Sequence, residues 1–214
     1  MTAPTPIQRI RAIRRSAARL AGTAALLCLA GLHSASAAAQ SFDLDTLMHA
    51  LAQHRSGQAH FSETKTLALL DKPIVSSGEL SFRAPDHFEK RTLLPTPELL
   101  TVDGDTLTIE RNGKQHVLAL TQYPEIAAAL DGVRGTLSGE RATLERSYTV
   151  TLEGDAAHWR LLLAPTNARA AKQIARITLV GTTGADGAAA LNTVRIEQAN
   201  HDTTVTTIVP VPAP

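Results

Sequence analysis

The sequence predicts an α+β domain in which one antiparallel sheet, curled or barrel-like, carries two helices. Three observations lead there. Hydrophobic side chains recur with a period of two from residue 60 onward. Turn signals, Asp103-Gly104, Asn112-Gly113 and Glu153-Gly154-Asp155, punctuate that pattern at short intervals. Only two stretches keep a helical period instead. Strands joined by short turns pair antiparallel with their neighbours, and a long sheet of this kind curls to cover its own apolar face.

The elements follow in order. Phe42–His54 is the first helix: Leu44, Leu47, Met48 and Leu51 fall at i, i+3, i+4 and i+7, Asp43 stands where the helix dipole favours an acid, and Gly57 is the expected stop. His60–Leu69 is threonine-rich and extended. Ser77–Ala84 alternates, with Leu80 and Phe82 on one face, and Pro85 ends it because proline has no N–H for a ladder. Leu99–Ile109 reads as two strands around Asp103-Gly104, and Asn112-Gly113 leads into Lys114–Leu120. Tyr123–Leu130 is a short helix closed by Asp131-Gly132. Leu144, Tyr148, Val150 and Leu152 then share a face, as do Trp159, Leu161 and Leu163 before Pro165. Three further strands are expected at 173–180, 191–197 and 203–209, with a loose Gly/Ala-rich loop at 181–190. No fixed-period repeat marks a solenoid.

The first 39 residues have a different character. They hold Arg9, Arg11, Arg14, Arg15 and Arg19 and no acid, then the apolar run Leu20–Leu32, then small residues through Ala39. A positive segment, a short apolar segment and an A-x-A site make up a secretory signal, with cleavage after Ala37 or Ala39. The apolar run is short of the roughly 20 residues a membrane span needs. Cys28 lies inside that run behind Leu27, which does not suit lipid attachment, and Arg14-Arg15 is a weak match to a twin-arginine signal, so the general export route is expected. The whole chain has a formal charge of +1, but residues 40–214 carry 16 basic and 20 acidic side chains and no cysteine. That segment is mildly acidic, lacks the basic runs that nucleic acid requires, and cannot form a disulfide. Its 175 residues suit one domain with its own core.

Catalytic constellations are missing from the sequence. Gly135-Thr-Leu-Ser-Gly139 places its serine one residue late for a nucleophile elbow and reads as a turn on a loop. His49 and His54 are five residues apart and face different ways on a helix, as surface residues do. The glycines at 181, 184 and 187 lack the helix that a dinucleotide fingerprint needs. Asp103 and Asp105 flank a turn glycine and serve the turn. An enzyme is therefore not expected, nor a metal or cofactor. The unusual demand is on the sheet's concave face, which two helices can either fill or leave hollow.

The order of the motifs resembles a known family. An amphipathic helix precedes Ala59-His-Phe61-Ser-Glu-Thr-Lys65, then Gly78-Glu-Leu80-Ser-Phe82-Arg-Ala-Pro85-Asp-His-Phe88, Pro95 and Val102-Asp-Gly104-Asp-Thr-Leu107; after the second helix come Gly139-Glu140, Tyr148 and Trp159-Arg-Leu-Leu-Leu163-Ala-Pro165. This is similar to the periplasmic outer-membrane lipoprotein carrier family, LolA, and to its divergent members, over residues 40–214. The resemblance implies an incomplete, unclosed antiparallel β-barrel with a helical lid, a single domain whose cavity takes the acyl chains of lipoproteins. It also implies a monomer in the periplasm, receiving cargo from an inner-membrane ATP-driven (ABC-type) exporter and passing it to an outer-membrane acceptor.

On that frame, strand parity puts Leu80, Phe82, Leu107, Ile109, Tyr148, Val150, Trp159 and Leu161 in the cavity wall. Phe88 corresponds to the family's aromatic near the cavity mouth, with a hydrophobe on an edge strand as the plainer alternative. One position departs from the pattern. The family commonly has an arginine before the proline equivalent to Pro85, where it latches the lid by bonding helix carbonyls; here that residue is Ala84, and Arg83 points to the opposite face. The latch is therefore either missing or supplied elsewhere, with Lys90 and Arg91 as the candidates. Ala84 also motivates a second expectation, a LolA-like binding module that carries or senses another hydrophobic molecule, such as a lipid or pigment intermediate.

Overall fold

A computed structural model describes residues 42–212, apart from the side chains of residues 124 and 125. The expected export signal lies outside the described residues. The chain runs α1 (Leu44–Ala52), β1 (Ser56–Thr66), β2 (Ile74–Arg83), β3 (His87–Leu94), β4 (Glu98–Asp103), β5 (Thr106–Arg111) and β6 (Lys114–Ala119). It continues through α2 (Pro124–Ser138), α3 (Arg141–Ser147), β7 (Tyr148–Gly154), β8 (Trp159–Pro165), α4 (Ala168–Ala171), β9 (Ile174–Thr183), β10 (Ala189–Gln198) and β11 (Thr203–Pro210).

All eleven strands form one antiparallel sheet in the order β6-β5-β4-β3-β2-β1-β11-β10-β9-β8-β7. Two meanders, β1 to β6 and β7 to β11, are joined where β1 pairs with β11. The outermost strands, β6 and β7, do not pair with each other, so the barrel stays open as the family resemblance implied. The helical segment between them carries the chain from one free edge to the other. Turn chemistry sets the hairpins: Asn112 and Gly113 both take positive φ (52° and 71°), the two-residue turn that matches strand twist.

Register fixes the concave face. One row runs Pro210, Ala59, Leu80, Lys90, Leu100 and Ile109, and the next runs Gly57, Phe82, Phe88, Val102 and Leu107. On the other half, Trp159, Leu161 and Leu163 face inward beside Gly181, Leu179 and Ile177.

Several local expectations need correction. Helix α1 ends at Ala52 with Gln53 in ordinary helical geometry, so Gly57 is no stop; it lies inside β1 opposite Phe82. Asp43 does cap α1, accepting from the Thr46 N–H at 2.8 Å, a bond that holds its carboxyl below the usual carboxylate range. Helix α2 does not close at Asp131-Gly132 but runs on to Ser138, where Gly139 takes φ +68°. Gly132 is there for contact: a Cβ would meet Ile177, Leu163 and Tyr148 at 3.3 Å, so its absence lets the helix approach the sheet. The stretch 135–139, expected as a loop, therefore forms the last helical turn, with Thr136 fully buried. Leu144 belongs to α3 rather than to a strand, and neither α3 nor α4 was expected. The loop at 181–190 shrinks to its centre, because residues 181–183 and 189–190 extend β9 and β10.

Gly181 is a tight packing constraint in the sheet. A Cβ there would lie 2.1 Å from the Trp159 indole and 2.2 Å from the Ala190 carbonyl oxygen. Gly181→Val is expected to cost about 3 kcal/mol through overpacking, read as a lowered urea midpoint with an unchanged slope.

Candidate functional site

The helices do not fill the concave face evenly. At one end α1 and α3 pack on β7 to β10 in a closed core that includes Leu47, Leu144, Trp159, Leu161, Leu163 and Ile177. At the other, Ile126, Ala127 and Leu130 of α2 cover Val102, Leu107 and Leu120. Between these filled ends is a cavity of about 290 Å3. Its floor comes from β1, β2, β10 and β11, including Leu80, Phe82, Val194 and Ile208, and its roof from Leu51 of α1 and Val133 and Leu137 of α2.

The site residues expected from parity divide accordingly. Leu80, Phe82 and Phe88 line the cavity. Phe88 is on an internal strand between β2 and β4, so the edge-strand alternative does not describe it. Leu107 and Ile109 lie in the cluster beneath the start of α2. Tyr148, Trp159 and Leu161 are buried in the closed core, and Val150 packs against it. All eight stand on the concave face. Parity assigns a face, and the helices decide which part of that face stays open. Val133 and Leu137 of the roof were missed because they lie beyond Asp131-Gly132, where the second helix was expected to stop.

The lid is tied down from an unexpected direction. Lys90 bonds Glu63 at 2.6 Å and Arg91 bonds Glu89 at 2.9 Å, so neither serves as the substitute latch. Ala84 donates its N–H to the Arg55 carbonyl, and Arg83 is exposed. Instead Arg134, on α2, donates to the Gly104 carbonyl of the β4–β5 turn at 2.8 Å and to Asp131 at 2.9 Å. The cation is carried by the helix and the carbonyl by the sheet, the reverse of the arrangement the resemblance implied. Farther along, the Tyr148 hydroxyl donates to the Ala128 carbonyl.

The wall also holds charges. Glu63 and Lys90 both line the cavity, and the Thr206 hydroxyl donates to the same Glu63 oxygen at 3.0 Å. The Lys90 ammonium lies 4.8 Å from the centroid of the Phe61 ring. His54 lines the cavity from the chain leaving α1, while His49 is exposed and does not.

An open antiparallel barrel, roofed by its own crossover helices around a small apolar cavity, has the geometry to hold an apolar ligand. Residues 36–205 match the family of outer membrane lipoprotein carrier protein LolA-like sequences, and the chain belongs to that family. No curated protein matches the sequence. Among solved structures, a LolA superfamily protein from Nitrosomonas europaea is similar at 11% identity and a TM-score of 0.43, over 80% of this chain and 93% of that one. A DUF1329 family protein from Desulfovibrio piger gives 12% identity and a TM-score of 0.46 over 78% and 88%. The lipoprotein LppX of Mycobacterium tuberculosis gives 10% and 0.40 over 80% and 97%. Among the described residues no helix is long and apolar enough to cross a membrane.

Burial, and next to it the charge of Asp131, pushes the Tyr148 phenol well above its ordinary value of 10.0. The folded protein therefore keeps this proton after the unfolded chain has released it. The associated stability is complete below pH 10 and is lost as pH rises beyond it, at about 1.4 kcal/mol per pH unit for one proton. Tyr148→Phe should remove this component. Urea titrations across the alkaline range are expected to show a shallower fall for the variant than for the wild type.

Proposed function

We propose that this protein is a periplasmic carrier that takes an acyl chain of a lipoprotein into the cavity beneath α2 and shields it between the inner and outer membranes. The observation that carries the reading is the hollow itself: an apolar space between two filled cores, closed by a helix that few polar contacts hold to the sheet. A buried acyl chain gains roughly 0.8 kcal/mol per CH₂. A site made of wall and lid can supply that gain with no catalytic group, and it can release the chain when the lid lifts. The export signal expected in residues 1–39 and family membership support this place of work. An inner-membrane exporter and an outer-membrane acceptor would be its partners. Protein recovered gently from the periplasm should carry lipid or lipoprotein in native mass spectra; empty protein, under conditions that keep a known carrier loaded, would reject the proposal.

A second reading has its own support. The cavity is at the small end for a ligand pocket, and as it stands it suits one chain better than several. A carrier or sensor of a single-chain lipid or pigment intermediate fits that volume. Incubation with spheroplasts separates the two: release of lipoproteins into solution favours the first reading and rejects the second.

Two substitutions test the location. Gly57 faces the cavity with nothing within 4 Å of a Cβ, so Gly57→Leu should fill space without a clash. We expect it to weaken chain binding about tenfold or more by occlusion, equivalent to one to two buried methylenes, at near-unchanged stability. Phe82→Glu should weaken binding further, whereas Val117→Glu on the exposed outer face should leave it unchanged. Displacement of a fluorescent apolar probe measures all three.

A further inference from the structure

A cavity meant only for hydrocarbon has no use for an ion pair in its wall. Taking two charges from water is costly, and a well-packed apolar pair of similar volume is commonly as stable or more so. Yet Glu63 and Lys90 project from β1 and β3 on the same face as Ala59 and Leu80 and line the same cavity. Their side chains are only 12% and 23% exposed.

The pair is incompletely used. Glu63 Oε2 accepts from both Lys90 (2.6 Å) and Thr206 (3.0 Å), while Oε1 accepts no hydrogen bond among the described residues. The ammonium has three N–H donors and spends one on Glu63, with its remaining contact the Phe61 ring. A pure hydrocarbon lying against this cluster would strip water from the free oxygen and the free N–H groups and return nothing, at the cost of unmade hydrogen bonds.

We infer that the cavity binds an amphiphile whose chain bears an uncharged group that both donates and accepts, an amide or a hydroxyl, seated against Glu63, Lys90 and Thr206. The pair sums to zero charge. A carboxylate drawn to Lys90 would meet Glu63, and an ammonium drawn to Glu63 would meet Lys90. A neutral group with both capacities satisfies Glu63 Oε1 and a free Lys90 N–H together. The geometry suits such a molecule. Six residue steps along β1 lead from Gly57 to Glu63, a span of about 20 Å at the usual strand rise, with Phe82 and Phe88 at the tail end and the polar cluster at the other. The inference rests on the carrier reading and adds the chemistry of the cargo.

The test is competition against bound N-phenyl-1-naphthylamine by four dodecyl compounds below their micelle concentrations: dodecanamide, dodecanol, laurate and dodecylamine. At about pH 8 the acid and the amine are charged. The amide and the alcohol should displace the probe from wild-type protein at concentrations about tenfold lower than the two ions, the equivalent of one hydrogen bond. The double variant Glu63→Leu/Lys90→Met removes both charges together and leaves no unpaired ion; it should bind the apolar probe more tightly than wild type and lose the preference among the four compounds. Equal displacement by all four compounds from wild type overturns the inference and leaves the carrier reading standing, as does a preference that survives in the double variant. Failure of the wild type to bind the probe or any dodecyl chain overturns the carrier reading itself. If the double variant does not fold, the wild-type ranking decides alone.

Discussion

The structure depends on one constraint of topology: the sheet does not close, and a single stretch of chain must travel from its β6 edge to its β7 edge. A closed barrel would need no cover for its interior, and a flat sheet would have nothing to enclose. Here the connection and the cover are the same segment. Helix α2, with 15 residues, spans roughly 22 Å at 1.5 Å per residue. That is several strand spacings across the sheet. Its depth is then set from two sides. Gly132 lets it sink toward Leu163 and Ile177, where the Tyr148 hydroxyl meets the Ala128 carbonyl, and Arg134 fastens it to the β4–β5 turn. The hollow remains beneath Val133 and Leu137 of the same helix.

That arrangement separates folding from binding. The cores on either side of the cavity contain the fully buried side chains, Trp159, Leu163 and Ile177 at one end and Val102 at the other. Part of the wall of the hollow is less enclosed: Leu80, Val133, Leu137 and Ile208 are only half-buried, while Leu51, Phe82 and Val194 are buried. Filling or emptying the space changes the hydration of its walls, while Trp159, Leu163, Ile177 and Val102 lie outside its lining. A carrier needs this independence, because its empty form has to persist between loads.

How much of this could be read from the chain depended on what each signal encodes. Hairpins were legible because Asn112-Gly113 and Asp103-Gly104 specify turns, and alternation then placed Leu80, Phe82, Trp159 and Leu161 on the correct face. The length of α2 was not, because Gly132 reads as a stop; it is a contact residue, a role visible only once Leu163 and Ile177 lie beneath it. The site was legible in part for the same reason. Two-residue periodicity separates inside from outside. It does not separate a covered inside from an open one, so Leu107 and Tyr148 were grouped with Phe82 although helices pack over the first two. Glu63 and Lys90 stand 27 positions apart and neighbour each other only through β2. Each alone looks like an ordinary charge on a strand.

The energetics of carriage follow from the size of the hollow. A twelve-carbon chain fully buried gains roughly 10 kcal/mol from leaving water, while association costs on the order of 4–15 kcal/mol in lost freedom. The difference is small, so such a cavity holds a chain moderately and releases it at little expense. A larger, wholly apolar cavity would bind more tightly and would also discriminate less, because hydrophobic burial has no direction. An ion pair in the wall acts on both properties at once. It lowers the return for bare hydrocarbon, which leaves polar atoms unmatched, and restores it for a chain whose own polar group meets them. Selectivity gained this way comes from penalising the wrong cargo. It leaves the affinity for the right one within reach of a lid held by a handful of polar contacts.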